Sequence, residues 1–177
     1  MTPLDGPPDV RVREAAVEDC EEIAVMVRAL AAHVGHEGSA TATAADFERA
    51  LFGRDARVGC LVAEVPSPSG AVVAGMAMWF TTFSTWQGRH GAWLEDLFVH
   101  PGHRGLGIGR TLVQTLAGVC AERGWGRLEW LVLDSNTSAQ AFYRRLGAQR
   151  QEGASVWRLA GEDLPAVSGT MTEANRG

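Results

Sequence analysis

The chain has no lysine: all 16 of its basic residues are arginines, set against 21 acids for a formal net charge of −5 over 177 residues. Apart from the pair Arg144-Arg145 the arginines do not cluster, which excludes the basic stripe that nucleic-acid binding needs. Cysteine is scarce. Cys20, Cys60 and Cys120 lie far apart, form no CxxC and are odd in number, so they read as buried free thiols rather than a disulfide framework. No window approaches the roughly 18 consecutive apolar residues of a membrane span, and MTPLDGPPDV lacks a basic stretch followed by an apolar one. The expectation is a cytoplasmic protein with no membrane partner.

What is present is 46% hydrophobic and 21% charged sequence, enough for one globular domain of mixed secondary structure. Residues 1–9, rich in proline and glycine, and residues 161–177, poor in large apolar side chains, read as flexible tails around a domain at 10–160. An acidic balance suits a cationic small substrate, as it suits soluble proteins at large.

VRVRE (10–14) alternates like a short strand, and Glu18-Asp19 then lead a helical pattern with Ile23, Met26, Val27, Leu30 and Val34 on one face, stopped by Gly35. Thr43 caps a second predicted helix carrying Phe47 and Leu51 and closed by Gly53. VGCLVAEV (58–65) and AVVAGMAMWFTTF (71–83) are two β-rich runs joined across PSPSG as a hairpin. A strand through LEDLFV (94–99) follows, then a glycine turn and a helix with Leu112, Leu116 and Val119 that ends at Gly124. RLEWLVLD (127–134) reads as a further strand. A last helix after Asn136 presents Ala139, Phe142, Tyr143 and Leu146 up to Gly147, and SVWRLA (155–160) reads as a final strand. The order implies a mixed α/β fold with a central sheet.

In RGLGIG (104–109) the glycines remove Cβ atoms where a helix begins, so a ligand can approach the amides and the helix dipole favours an anion such as a pyrophosphate. The turn ends in Gly109-Arg110-Thr111, not the G-K-[ST] of a Walker loop, and its glycines are out of register with G-x-G-x-x-G. A purely structural turn before a helix is the alternative.

Arg104-x-x-Gly107-x-Gly109 after LFVHP, with NTSAQAFYRRLGA (136–148) further on, resembles the acetyl-CoA signature of the GNAT superfamily of N-acetyltransferases. GMAMWFTTFSTWQGRHGAWLEDLFVHP, with LVAEV and TATAADFERALFG upstream, resembles the spermidine/spermine (diamine) N-acetyltransferase group and its bacterial relatives over residues 10–160. The resemblance implies a GNAT fold: a mixed, mostly antiparallel sheet with helices on both faces and splayed strands that form the acetyl-CoA site. It also implies a homodimer and no metal.

The same resemblance implies the site. Amides from Arg104 through Gly105, Leu106, Gly107, Ile108 and Gly109 to Arg110 cradle the pyrophosphate, while Phe98 and Val99 run beside the pantetheine arm, Val99 through its backbone. Asn136 lies against the cofactor, compatibly with an N-cap role. Tyr143, the single tyrosine, is the general acid near the sulfur; packing against Phe142 is its structural alternative. Glu95 faces the acceptor amine and draws off its proton directly or through a water. Regular alternation would put Glu95 on a face with Trp93, Leu97 and Val99, and Asp96 with Leu94 and Phe98. Asp96 is a secondary substrate contact or a structural acid. Trp86 walls the acceptor pocket, or is buried in the core. His90, His100 and His103 lack metal-ligand spacing and read as solvated loop residues; His33 and His36 are assigned to the mouth between the first helices.

Ser84-Thr85 stand where typical polyamine enzymes have an acid before the tryptophan, and Ser135 replaces a common tryptophan. These departures remove a second anchor for a polycation and leave a shorter diamine, a lysine-like amino acid or another primary amine open; the expected acceptor is a small primary amine in the class of polyamines, diamines and lysine-like amines. A protein or peptide N-acetyltransferase and a non-catalytic acyl-CoA-binding module are the alternatives.

Overall fold

The computed structural model describes residues 10–153 and 155–160. The chain divides into two compact units, 1–136 and 137–177. The expected tails at 1–9 and 161–177 lie outside the described residues.

In the first unit, β1 (Arg11–Glu14) leads through a short 3-10 turn into α1 (Cys20–His33) and α2 (Ala44–Phe52). Next come β2 (Val58–Ser67), β3 (Gly70–Ser84), β4 (Arg89–Val99), α3 (Ile108–Glu122) and the two-residue β5 (Leu128–Glu129). Each helix starts and stops where local chemistry demands. Thr43 Oγ1 accepts from the Asp46 N–H over 3.3 Å while the Asp46 carboxylate accepts from the Thr43 N–H over 2.8 Å, a reciprocal cap that satisfies two orphan donors. Gly35 and Gly124 adopt φ of +83° and +67° just past α1 and α3, which favours glycine at a helix exit.

The strands lie in the order β1-β2-β3-β4-β5, antiparallel throughout except for the parallel pair β4-β5. Helices α1 and α2 cover one face, where Ile23, Met26 and Phe47 pack on Cys60, Val62, Met76, Met78 and Phe98. Helix α3 buries Ile108, Leu112, Val113 and Leu116 and packs on β1 to β4. The sheet therefore has helices on both faces, as the resemblance implies.

A three-way ion pair fastens α1 to the sheet. Arg13 on β1 donates to Asp19 Oδ2 and Oδ1 over 2.6 and 3.0 Å and to Glu64 Oε1 on β2 over 2.8 Å. Asp19 is only 7% exposed. Burial pushes its carboxyl up, but the Arg13 guanidinium and the Ala16 N–H outweigh that and hold it below the usual carboxylate range.

Two expected strands are corrected. The run at 127–134 pairs with β4 only through Ala92↔Leu128 and Trp93↔Glu129, and the pairing of the two runs stops there although β4 continues to Val99. In the second unit, residues 155–160 form no strand, and Val156, Trp157 and Leu159 are exposed. That unit contains α4 (Thr137–Arg145), which ends before Gly147 at φ +89°.

Candidate active site

The acidic pair sits at an irregularity in β4. Trp79 of β3 opposes Leu94 and the next pair is Met78 with Asp96, so Glu95 has no partner across the ladder. This is a β-bulge, in which one extra residue resets the alternation of the strand. Trp93 opposes Phe80, and Phe98 opposes Met76; Met76, Met78 and Phe98 all belong to the core under α1 and α2. Trp93, Asp96 and Phe98 thus share that face, and Leu94 and Leu97 take the other.

The alternation expected from sequence is corrected accordingly. Glu95 and Asp96 do not diverge to opposite faces: the Trp93 Nε1–H donates to Glu95 Oε2 over 2.9 Å, which holds Glu95 toward the Trp93 side. The Trp93 ring stacks on Phe80, centroids 6.4 Å apart. Sequence reasoning passed over Trp93 and Phe80 as site residues. The spacing W-x-E was the available signal, because residues two apart on a strand share a face.

The two carboxyls differ in surroundings. Glu95 is exposed and Asp96 half-buried. Burial, and then the neighbouring charge of Glu95, push Asp96 up to about 6. Across the sheet, Asp96 continues a row through Met78 to Cys60, whose thiol is pushed up to about 12 mainly by burial, with Asp96 contributing.

Beyond the bulge, the outer edge of β4 is open. Among the described residues, β5 pairs with β4 no further than Trp93. The His100 N–H donates to the Ala74 carbonyl over 2.9 Å, so Val99, the alternate residue, turns its own N–H and C=O to that open edge. There its carbonyl accepts from Arg104 Nε over 3.0 Å, and the Arg104 guanidinium lies 5.9 Å from the centre of the Phe98 ring. The Phe98 side chain is buried in the core, and its own N–H and C=O lie on the β3 side of the strand.

The glycine turn has the geometry its sequence implies. Gly105 and Gly107 adopt φ of +80° and +81°, and Gly107 is the N-cap of α3. The Thr111 N–H is the donor that reaches back to the Gly107 carbonyl, over 3.0 Å; Ile108 and Gly109 therefore precede the helical ladder and present their N–H groups outward. No acid occupies the first turn of α3. The Ile108 side chain is buried and Leu106 is exposed. Together the free amides, the absence of an acid and the arginines at 104 and 110 fit an anionic ligand such as a pyrophosphate.

Other expected residues fall elsewhere. Trp86 is 99% exposed at the β3–β4 turn, so it is not the core residue of the structural alternative. From Arg89 to Glu95 the strand spans about 20 Å, which separates Trp86 from the acidic pair along β4. His90 is a strand residue whose ring meets Phe83 edge-on at 5.2 Å, and His100 is half-buried with Nε2 2.8 Å from Glu22 Oε1; neither is a solvated loop residue. His33 and His36 are exposed at the end of α1.

Asn136 directly precedes α4, and its N–H donates to the Leu133 carbonyl over 2.9 Å. In the second unit, Tyr143 meets Phe142 edge-on, centroids 5.0 Å apart. Burial pushes its phenol up to about 12, so it keeps its proton at neutral pH. No group of three or more His, Cys, Asp or Glu side chains among the described residues could hold a metal ion. No helix among them is long and apolar enough to cross a membrane.

Residues 22–148 match the model of the Acetyltransferase (GNAT) family. Thialysine N-epsilon-acetyltransferase from Bos taurus is 34% identical over 167 residues, covering 90% of this chain and 98% of that protein. Spermidine/spermine N(1)-acetyltransferase-like protein 1 from Homo sapiens is 32% identical over 160 residues, covering 87% of this chain and 23% of that protein. Among solved structures, an integron cassette protein from the mobile metagenome of V. cholerae superposes with a TM-score of 0.74 at 22% identity, covering 92% of this chain and 99% of that one; at that identity it bears on the fold alone. The match across most of the chain makes this protein an acetyltransferase of the GNAT family.

Proposed function

We propose that the enzyme transfers an acetyl group from acetyl-CoA to a primary amine of a small molecule, in the class of polyamines, diamines and lysine-like amines. The observation that carries the reading is the bulge that sets Glu95 and Asp96 on one face, beside Trp93 and next to the open edge of β4. Adjacent carboxylates beside an aromatic ring suit a cationic amine. Relatives named for thialysine, spermidine/spermine and L-ornithine acetylation support the same class.

The residues present fit the cofactor. The Arg104 N–H is taken up by the Pro101 carbonyl, so the amides that follow it, up to Arg110, would hold the pyrophosphate, the Val99 backbone at the open edge would align its pantetheine arm, and Asn136 would contact it. Acetyl-CoA, when bound, supplies the acetyl group as a thioester. Glu95 binds the substrate ammonium, and Asp96 adds a second anion. Tyr143, protonated at neutral pH, is the proton donor. Trp86 contacts the distal part of a longer amine. The family resemblance adds a cytoplasmic homodimer, which sedimentation of the purified chain would check.

The test is thiol release from acetyl-CoA with spermidine, spermine, putrescine, thialysine, lysine, ornithine, an aminoglycoside and a short peptide. Turnover concentrated on the aliphatic amines supports the reading. Turnover on the peptide alone replaces it with a peptide acetyltransferase, and cofactor binding without turnover on any acceptor replaces it with a binding module.

A further inference from the structure

We propose that His100, held by Glu22 of α1, is a positioning residue for the cofactor: it fixes the angle at which the chain leaves β4 for the glycine turn. That angle sets the spacing between the Val99 backbone and the amides that follow Arg104. This rests on the acetyl-CoA reading above and gives a role to a residue outside the direct contacts named there.

His100 is where the sheet ends and the turn begins. Its N–H donates to the Ala74 carbonyl of β3 over 2.9 Å, and its own carbonyl accepts from the His103 N–H over 2.9 Å, so one residue closes the ladder and opens the 3-10 turn at Pro101–His103. Residues two apart on a strand share a face, and the His100 ring meets Phe98 edge-on, centroids 5.3 Å apart. The imidazole is thereby turned toward α1, where Nε2 lies 2.8 Å from Glu22 Oε1.

The helix on the far side of that hydrogen bond is a firm mount. Glu22 is in the first turn of α1, close behind Asp19, whose ion pair with Arg13 ties the helix to β1. Ile23 and Met26, both fully buried, seat it in the core. The sheet backs the strand end as closely: Gly75 opposes Val99, and a Cβ on Gly75 would lie 2.6 Å from the Phe98 carbonyl oxygen.

The turn itself closes on its own atoms. The Arg104 N–H donates to the Pro101 carbonyl over 3.3 Å and Arg104 Nε to the Val99 carbonyl over 3.0 Å. Those bonds hold its shape without holding its place. Among the described residues, the Glu22 contact is the side-chain hydrogen bond that joins the turn to a helix, so it opposes a swing of the turn about the end of β4. A ligand that reaches from the Val99 edge to the glycine turn binds well only when the two are already spaced for it. Glu95 takes its orientation from Trp93 instead, so the amine contact does not depend on His100.

Isothermal titration of CoA into the purified full-length chain, with initial-rate kinetics alongside, tests the role in His100→Phe, Glu22→Ala and the double variant. His100→Phe keeps a ring against Phe98 and removes the nitrogen. Expected is a CoA Kd raised about three- to tenfold in each single variant, the effect of one hydrogen bond. The double variant shows no further rise, because two residues acting through one contact are not additive. The acetyl-CoA KM rises with the Kd, and the amine KM does not. Glu22 is half-buried at the edge of α1, so Glu22→Ala carries the test if His100→Phe does not fold. Amide hydrogen exchange at residues 99–107 of the ligand-free Glu22→Ala chain quickens if the turn is released. An unchanged Kd in Glu22→Ala, additive losses in the double variant, exchange no faster than in the unsubstituted chain, or an amine KM that rises with that of acetyl-CoA overturns the role. An unsubstituted chain that binds no CoA overturns the cofactor reading, and the role with it.

Discussion

The indole of Trp93 and the carboxylate of Glu95 are joined over 2.9 Å on one face of β4, although the sheet itself gives Glu95 no opposite number. The hydrogen bond supplies the orientation that the missing ladder partner does not. Trp93→Phe keeps the ring that stacks on Phe80 and removes the N–H. The expected result is an amine KM raised about three- to tenfold, in line with roughly 1 kcal/mol for one hydrogen bond, with kcat and the acetyl-CoA KM unchanged. Initial-rate kinetics with each substrate varied in turn checks it.

Asp96→Asn should stabilise the protein at neutral pH. The Asp96 carboxyl is raised from 3.8 to about 6 in the folded chain, so the folded state binds the proton more tightly and loses stability as pH rises from about 4 to 6. An amide has no such dependence. Allowing for partial solvent screening, the gain is about 1–2 kcal/mol at pH 7, and it vanishes near pH 4. Urea unfolding of both proteins at the two pH values measures it.

Arg13→Ala removes the cation between Asp19 and Glu64 and leaves Asp19 buried without its charge partner. The expected cost is about 3 kcal/mol at pH 7. The folded Asp19 carboxyl lies below its usual range, so the stability it lends is present above about pH 4 and is lost as pH falls through the depressed value. In Arg13→Ala that acid-side loss shrinks. Denaturation midpoints of Arg13→Ala and of the unsubstituted protein at pH 7 and pH 3 check it.

Gly107→Ala places a Cβ on a residue at φ +81° at the cap of α3. The left-handed conformation costs about 1–2 kcal/mol for a residue with a side chain, which lowers the unfolding midpoint. The same change displaces the amides that follow it. The expected kinetic signature is an acetyl-CoA KM raised several-fold with little change in the amine KM.

Much of the fold was legible because its boundaries are chemical. Thr43, Gly53, Gly107 and Gly124 mark helix ends by capping or by backbone freedom, and β2 and β3 announce themselves as apolar runs joined at PSPSG. The family was legible from the turn at 104–109 and the run at 136–148, and the family match bears it out. The bulge was not. LEDLF reads equally well as a regular strand, because a residue without a cross-strand partner leaves no mark in the alternation of its own segment. The strand expected at 127–134 is cut to Leu128–Glu129 because its pairing with β4 stops at Trp93, just before the irregularity at Glu95; the pattern of a run shows that it suits a sheet, not how far a neighbour follows it. Trp86 was similarly illegible, since nothing in FSTWQG distinguishes a covered tryptophan from one standing in water.

The pairing around Glu95 also says what the sheet is indifferent to. Leu94 and Asp96 occupy consecutive rungs against Trp79 and Met78, so the ladder would run on evenly were Glu95 deleted. Inside and outside would stay as they are for every other side chain of β4. Glu95, the residue proposed to meet the substrate, is thus surplus to the architecture, and the scaffold can exchange it, reorient it or lose it while the core keeps its identity. Fold and chemistry are separable at that one position, which leaves a lineage free to try new acceptors without first having to learn to fold again.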